Sequence, residues 1–138
     1  MAYWLIKSEP DVFSLDDLAS KPGRRSGWDG VRNYQARNNL KAMKVGDLAL
    51  FYHSNAAPSA VVGAARVTRE AFPDGPDPRW VAVEVEYAGR LARPVPLAEA
   101  KSAPGLKDMA LVRYGRLSVQ PVTAREWAAV LKMGGGLS

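Results

Sequence analysis

Twelve consecutive residues, Trp28-Asp29-Gly30-Val31-Arg32-Asn33-Tyr34-Gln35-Ala36-Arg37-Asn38-Asn39, combine aromatic, amide and guanidinium side chains where an ordinary surface helix would carry Glu and Lys. Such groups are suited to recognition. An amide offers donors and an acceptor together, and arginine stacks on rings and makes forked hydrogen bonds to anions in ways lysine does not. Asp29 is positioned to cap a helix that Gly30 lets the chain enter, and on that helix Asn33 with Arg37, and Tyr34 with Asn38, share faces. Ala36, Leu40 and Met43 supply an apolar stripe for docking. Asn and Tyr are mediocre helix formers, so their use points to hydrogen bonding and stacking with another molecule.

Two further polar groups stand where apolar runs end. Tyr3-Trp4-Leu5-Ile6 leads into Lys7-Ser8-Glu9-Pro10, and Leu48-Ala49-Leu50-Phe51-Tyr52 leads into His53-Ser54-Asn55. A third stretch, Lys21 to Gly27, is a turn-rich basic loop carrying Arg24 and Arg25. His53 beside Ser54 invites a nucleophile-and-base reading. Adjacent strand residues point to opposite faces, however, and no Gly-x-Ser-x-Gly elbow is present. Glu9 alone is thin support for hydrolysis, which calls for a second carboxylate, an activated nucleophile or a metal. With no cysteine and one histidine in the chain, a zinc site would need carboxylates for its remaining ligands. The expectation is therefore a binding protein without cofactor or metal, not an enzyme.

Each residue also has a structural alternative. Trp4, Trp80 and Trp127 sit in apolar segments and are assigned to the core. Trp28, among Gly, Asp and Arg, is either a core plug or a pocket wall. Asn33 and Asn38 could serve only to tie the helix to a loop. Glu9 could pair with Arg37 or Lys7, and His53 could be a satisfied structural histidine.

The elements that must position these groups follow from periodicity. Tyr3 to Lys7 reads as a strand buried on both faces, with Trp4 and Ile6 on one side and Tyr3 and Leu5 on the other. Ser14 and Asp17 form a capping box for a short helix. Leu48 to Tyr52 is a central strand, and Val61 to Thr68 is another in which Gly63 marks a bulge or close backbone approach. Phe72 to Pro78 is a loop. Trp80 to Tyr87 alternates, with Val81, Val83, Val85 and Tyr87 inward and Glu84 and Glu86 outward. Arg90 to Val95 continues the sheet after a turn at Gly89, and Pro96 to Lys101 is a short helix. Leu106 to Val112 is a helical turn. Arg116 to Val122 is a strand with Leu117 and Val119 toward the core and Arg116, Ser118 and Gln120 on its other face. Thr123 and Glu126 cap a last helix that packs through Trp127, Val130 and Leu131, and residues 133–138 form a flexible tail.

The chain has 138 residues, enough for one domain with its own core. Lys and Arg number 19 against 14 Asp and Glu, a net charge of +5 that permits nucleic-acid binding without requiring it. No segment reads as a signal peptide or membrane span, so the expectation is a cytoplasmic monomer without membrane contact. Five or six strands with adjacent β segments and short helices make an α+β domain around a curved sheet or small barrel.

Trp4-Leu5-Ile6-Lys7-Ser8-Glu9-Pro10, the stretch from Trp28 to Asn38, Gly46-Asp47, Phe51-Tyr52-His53-Ser54-Asn55 and Arg116-Leu117-Ser118-Val119-Gln120-Pro121-Val122, in this order, resemble the EVE domain family. The resemblance spans Trp4 to about Leu131. It implies a PUA-like fold, a small closed or nearly closed β-barrel flanked by helices and related to YTH domains. It also implies a reader that takes a modified base from its stack, with modified cytosine in DNA the leading ligand and modified RNA the alternative. On that reading the pocket is formed by Lys7, Ser8, Glu9, Trp28, Asn33, Arg37, Asn38, Tyr52, His53, Ser54 and Asn55. Trp28 with Tyr52 or Tyr34 makes an aromatic wall, while Arg24, Arg25 and Arg32 hold phosphates. The alternatives are an RNA-binding module that reads shape and phosphates, and an enzyme acting on modified nucleotides.

Overall fold

The computed structural model describes residues 1–138. Six strands, β1 (Tyr3–Ser8), β2 (Arg25–Trp28), β3 (Leu48–His53), β4 (Ala60–Pro73), β5 (Val81–Pro96) and β6 (Val119–Val122), form one mixed sheet. Five α-helices flank it: α1 (Leu15–Ser20), α2 (Tyr34–Ala42), α3 (Leu97–Ser102), α4 (Ala110–Arg113) and α5 (Ala124–Gly134). The strand order is β2-β5-β4-β3-β1-β6, and only β1 with β3 run parallel. The sheet is open, since β2 and β6 remain as its two edges. No helix is long and apolar enough to cross a membrane.

The alternation of β1 separates two cores. Trp4 and Ile6 face a layer closed by Leu15 and Leu18 of α1 and by Ala36 and Leu40 of α2. Leu5 faces a second layer closed by Ala100 of α3, Leu111 of α4, and Trp127 and Val130 of α5. Burial on both faces explains why β1 and β3 read as unbroken apolar runs. Both expected capping boxes form, Ser14 with Asp17 and Thr123 with Glu126.

Curvature comes from the long central strands. The β4/β5 register shifts between Val61 and Gly63, between Ala64 and Ala65, and twice more before Phe72. Each irregularity bends the sheet. At Gly63 a Cβ would lie 2.3 Å from the Gly89 carbonyl oxygen and 2.5 Å from Leu15 Cδ2, so only glycine fits where the strands press together. Gly89, expected as a turn, instead sits inside one continuous β5 with φ 140°. Its freedom from a side chain absorbs the bend without ending the strand.

Asp47 fixes where β1 and β3 start. Its carboxylate accepts from the Ala2 amide (3.1 Å), Trp4 Nε1 (3.0 Å) and the Lys44 amide (3.0 Å) while only 4% exposed. Burial alone would raise the Asp47 pKa; these hydrogen bonds outweigh it and hold the carboxyl below its ordinary 3.8.

Several expectations change. The stretch before Trp28 is not only loop: Pro22–Arg24 is a single 3₁₀ turn and Arg25–Trp28 pairs with β5. The expected helical turn over Leu106 to Val112 divides into a 3₁₀ turn, Pro104–Leu106, and α4. Gln120, on the strand face opposite Val119, is fully buried there because the chain from α4 folds over that face. Its Nε2 donates to the Tyr114 and Leu117 carbonyls at 3.0 and 2.9 Å. Trp80 is only half-buried and stacks on Tyr34 outside the core. The last residues, read as a tail, lie against β5, where Leu137 bridges Leu91 and the Ser138 amide donates to the Arg90 carbonyl.

Candidate functional site

Three strands lie between β1 and β2 in the sheet, yet residues at the ends of both line one cleft. The sheet must curl for this to happen. The cleft encloses ≈ 680 Å³ and draws on Lys7 and Ser8 from β1, Ser26 to Trp28 from β2, the loop Asp29 to Asn33, Val12, Phe13, Lys21 and Ser118. That volume suits one nucleotide-sized ligand.

Trp28 forms its apolar wall. The ring is 8% exposed and packs edge-on against Phe51 at 5.4 Å and Phe13 at 6.1 Å, so it joins the core to the cleft. Its indole N–H makes no hydrogen bond within the protein and is not sealed from solvent. Phe13 and Val31 extend the apolar surface.

The polar edge has definite capacity. Asn33, not Asp29, is the N-cap of α2: its Oδ1 accepts from the Ala36 amide at 2.9 Å, leaving Nδ2 as a free donor. The chain has no regular structure from Gly30 until the extended N-cap Asn33, so the helix starts late and Asp29 is left lining the cleft. Ser8 Oγ donates to the Phe13 carbonyl at 2.6 Å, so its oxygen is left to accept. Lys21 and Arg32 supply positive charge around these groups, while Lys7 lines the cleft but sends its ammonium toward Tyr52 in the neighbouring cavity. Lys7 reaches the Gly115 carbonyl at 2.6 Å, and burial lowers its pKa from the usual 10.5.

The mouth is held in place from the β4–β5 loop, a segment to which the sequence assigned no role. Asp74 accepts from the Gly30 amide at 2.8 Å and from Arg32 Nη1 at 2.9 Å. The Arg32 hydrogen bond, then that of Gly30, pulls the Asp74 pKa below 3.8.

Of the residues expected to form a pocket, the structure brings Lys7, Ser8, Trp28 and Asn33 together, and Arg32, expected to hold phosphate, lines the same cleft. Tyr52, Ser54 and Asn55 instead line a separate cavity of ≈ 190 Å³ with Lys7, Ser59, Leu97, Leu111 and Gly115. The reason is the strand alternation: Phe51 faces the Trp28 layer and Tyr52 the opposite one. A wall made of Trp28 and Tyr52 is therefore not formed. Glu9 pairs neither with Arg37 nor with Lys7 but accepts from Asn55 Nδ2. Asn55 takes a left-handed φ of 48°, a conformation asparagine tolerates better than most residues.

Arg37 and Asn38 lie outside the cleft, with Arg37 donating to Asn38 Oδ1 at 2.8 Å and to the Arg79 carbonyl at 3.2 Å. Arg24 rests over the Tyr87 ring, and Arg25 faces Glu86 at 3.5 Å and Glu84 at 3.9 Å. Asp29, Ser118, Lys21 and Phe13 were not singled out as site residues. Ser118 was legible only as one face of a strand, and Asp29 only as a cap.

His53 has the structural role weighed for it. Its Nε2 accepts from the Leu15 amide at 3.1 Å, holding the ring neutral, and its edge meets Phe51. Burial lowers its pKa below 6.5, Asp16 and Asp17 opposing and Arg90 assisting. A histidine depressed in the fold binds more protons unfolded, so stability should fall as pH drops below about 6.5. The expected result is that His53→Gln flattens the dependence of melting temperature on pH between about 6.5 and 5.

A family model described as EVE domain matches residues 2–133. Human thymocyte nuclear protein 1 is 39% identical over 165 residues, covering 96% of this chain and 73% of the human protein. The crystal structure of human THYN1 protein in complex with 5-methylcytosine containing DNA superposes with a TM-score of 0.92 at 36% identity, covering 100% of each chain. A crystal structure from Agrobacterium tumefaciens superposes with a TM-score of 0.94 at 44% identity, covering 99% of this chain and 94% of the other. The chain belongs to the EVE domain family.

Proposed function

We propose that this protein reads modified cytosine in DNA by admitting the flipped or single-stranded base to the Trp28 cleft. The carrying observation is the joining, in one cleft, of an aromatic wall, an unpaired carboxylate, a free amide donor and a cationic rim. The likeness in fold to a relative solved with 5-methylcytosine DNA supports the choice of ligand. Trp28 and Phe13 provide the apolar contact for the base. Asp29 accepts from the exocyclic amine of cytosine, the pairing expected of a carboxylate with that base. Asn33 Nδ2 donates to a ring carbonyl or nitrogen. Lys21 and Arg32 offset the repulsion between Asp29 and the phosphates, and position the strand without reading sequence.

The reading is of binding without chemical conversion. Glu9 is engaged by Asn55 and His53 by Leu15, which leaves neither as an unengaged base directed into the cleft. An added methyl in a fitted apolar site is worth about 1–3 kcal/mol, or roughly 10- to 200-fold. Affinity for matched oligonucleotides bearing cytosine or 5-methylcytosine, in DNA and RNA, tests this. A methyl preference within that range, retained at higher salt, is the expected result; equal affinity for both bases would overturn it. Lys21, which has no carboxylate partner, makes a separate test. Lys21→Ala should weaken all oligonucleotides alike and reduce the slope of log K against log salt by about 1.

A further inference from the structure

Beside the cleft stands a second aromatic feature. Tyr34, in the first turn of α2, is 53% exposed and stacks on Trp80 at 5.3 Å with 27° between the planes. Arg79 fixes the pair by donating to the Tyr34 hydroxyl at 3.2 Å while lying over Trp80 at 5.7 Å. Arg37 sits over Tyr34 at 5.1 Å, and its only partners are the Asn38 side chain and a backbone carbonyl. Arg32 connects the two places, since it lines the cleft and lies 5.4 Å from the Trp80 ring centre.

A large ring this exposed is not held by the hydrophobic effect of its own burial. It is nonetheless immobilised by a stacked neighbour and a hydrogen bond, so little further ordering is needed when a planar ligand arrives. The adjoining charge is guanidinium, which suits a phosphate bonded to that planar group. Asp74 and Asp77 neutralise Arg32 and Arg79, but Arg37 has no carboxylate.

We infer that the Tyr34–Trp80 stack seats the nucleotide next to the one in the Trp28 cleft, its base taking the place over the Tyr34 ring that the Arg37 guanidinium occupies in the free protein, and its phosphate taken by the displaced Arg37. The inference rests on the reading of the cleft as a nucleic-acid site, and it adds a second base contact that is indifferent to sequence. A strand held at both places is kept from re-stacking, because the base beside the vacated position is occupied on the protein. Stacking of this kind is tolerant of base identity, and its loss weakens binding roughly 5- to 150-fold.

The test uses the full chain and short DNA strands carrying cytosine or 5-methylcytosine, with the neighbouring nucleotide on either side intact or abasic. With wild-type protein, an abasic neighbour on one side should weaken binding by about 5-fold or more, and one on the other side should not. Tyr34→Ala should weaken the intact strand by a similar factor and lose the sensitivity to the abasic position. Alanine keeps the helix at this exposed position, and thermal unfolding checks that the fold survives loss of the stack. Abasic neighbours that cost less than about twofold on both sides would overturn the inference, leaving the platform to a protein partner. So would a Tyr34→Ala protein as sensitive to the abasic site as wild type. If the neighbour effect appears without any methyl preference, the platform stands and the methyl-reading cleft falls. If no strand binds at all, both fall.

Discussion

Trp28→Ala is expected to erase the preference for 5-methylcytosine and to lower stability by about 3–5 kcal/mol, the usual cost of removing a buried tryptophan. The two effects share one cause. One edge of the ring borders the cleft while the rest packs against Phe13 and Phe51, so truncation removes the wall and opens a cavity in the core beneath it. Against a domain stability of about 5–15 kcal/mol, that loss is large but leaves most molecules folded in the upper part of the range. Thermal unfolding should show a drop of about 10–15 °C. Trp28→Phe separates the two roles. It keeps an apolar plug, should cost roughly half as much, and should still weaken the methyl preference because the wall has receded. A Trp28→Ala protein that unfolds like wild type would contradict the placement of this ring.

Asp47→Ala is expected to destabilise the fold by about 3–4 kcal/mol without changing the ratio of affinities for modified and unmodified bases. Its carboxylate serves the Trp4 indole, the Lys44 amide and the Ala2 amide. Removing it strands the Trp4 N–H in a buried setting, whereas the other two donors can turn to water. The loss also frees the start of β1 from the start of β3, a parallel pair with no hairpin to hold it. The pH dependence has a definite sign. The Asp47 carboxyl is held below 3.8 in the fold, so its contribution is fully present above the unfolded value and is lost as pH falls through the folded one. Urea midpoints at pH 7 and at about pH 3 should therefore show a gap between wild type and variant that narrows on acidification. A gap independent of pH would contradict this account of Asp47.

What was legible in the sequence was local. The alternation of Trp4, Leu5 and Ile6, the Ala36, Leu40 and Met43 stripe, and the Ser14 and Thr123 caps each depend on neighbours a few residues away, and each stands as read. Gly63 was readable because a glycine inside an apolar strand asks for a steric reason, and the Gly89 carbonyl supplies it. The misplaced features depend on the far side of the sheet. Asp29 and Asn33 are both good caps, and only the anchoring of Gly30 by Asp74 decides between them. Trp28 and Tyr52 looked like partners until strand parity put them in different cores. The burial of Gln120 was not readable, because nothing local announces that the Tyr114 and Leu117 carbonyls need a donor. The resemblance to a family gave the architecture, but the contents of the cleft needed the curl of the sheet.

The most direct test of the central claim follows the Trp28 indole N–H by nitrogen–proton NMR, assigned through Trp28→Phe, during titration with 5-methylcytosine and cytosine strands. Entry of the base into the cleft should shift the Trp28 indole signal and the Gly27 and Asp29 amides, at lower concentrations of the methylated strand than of the unmodified one. Shifts confined to Arg24, Arg25 and Tyr34, with the Trp28 signal unmoved and the two strands indistinguishable, would contradict the account.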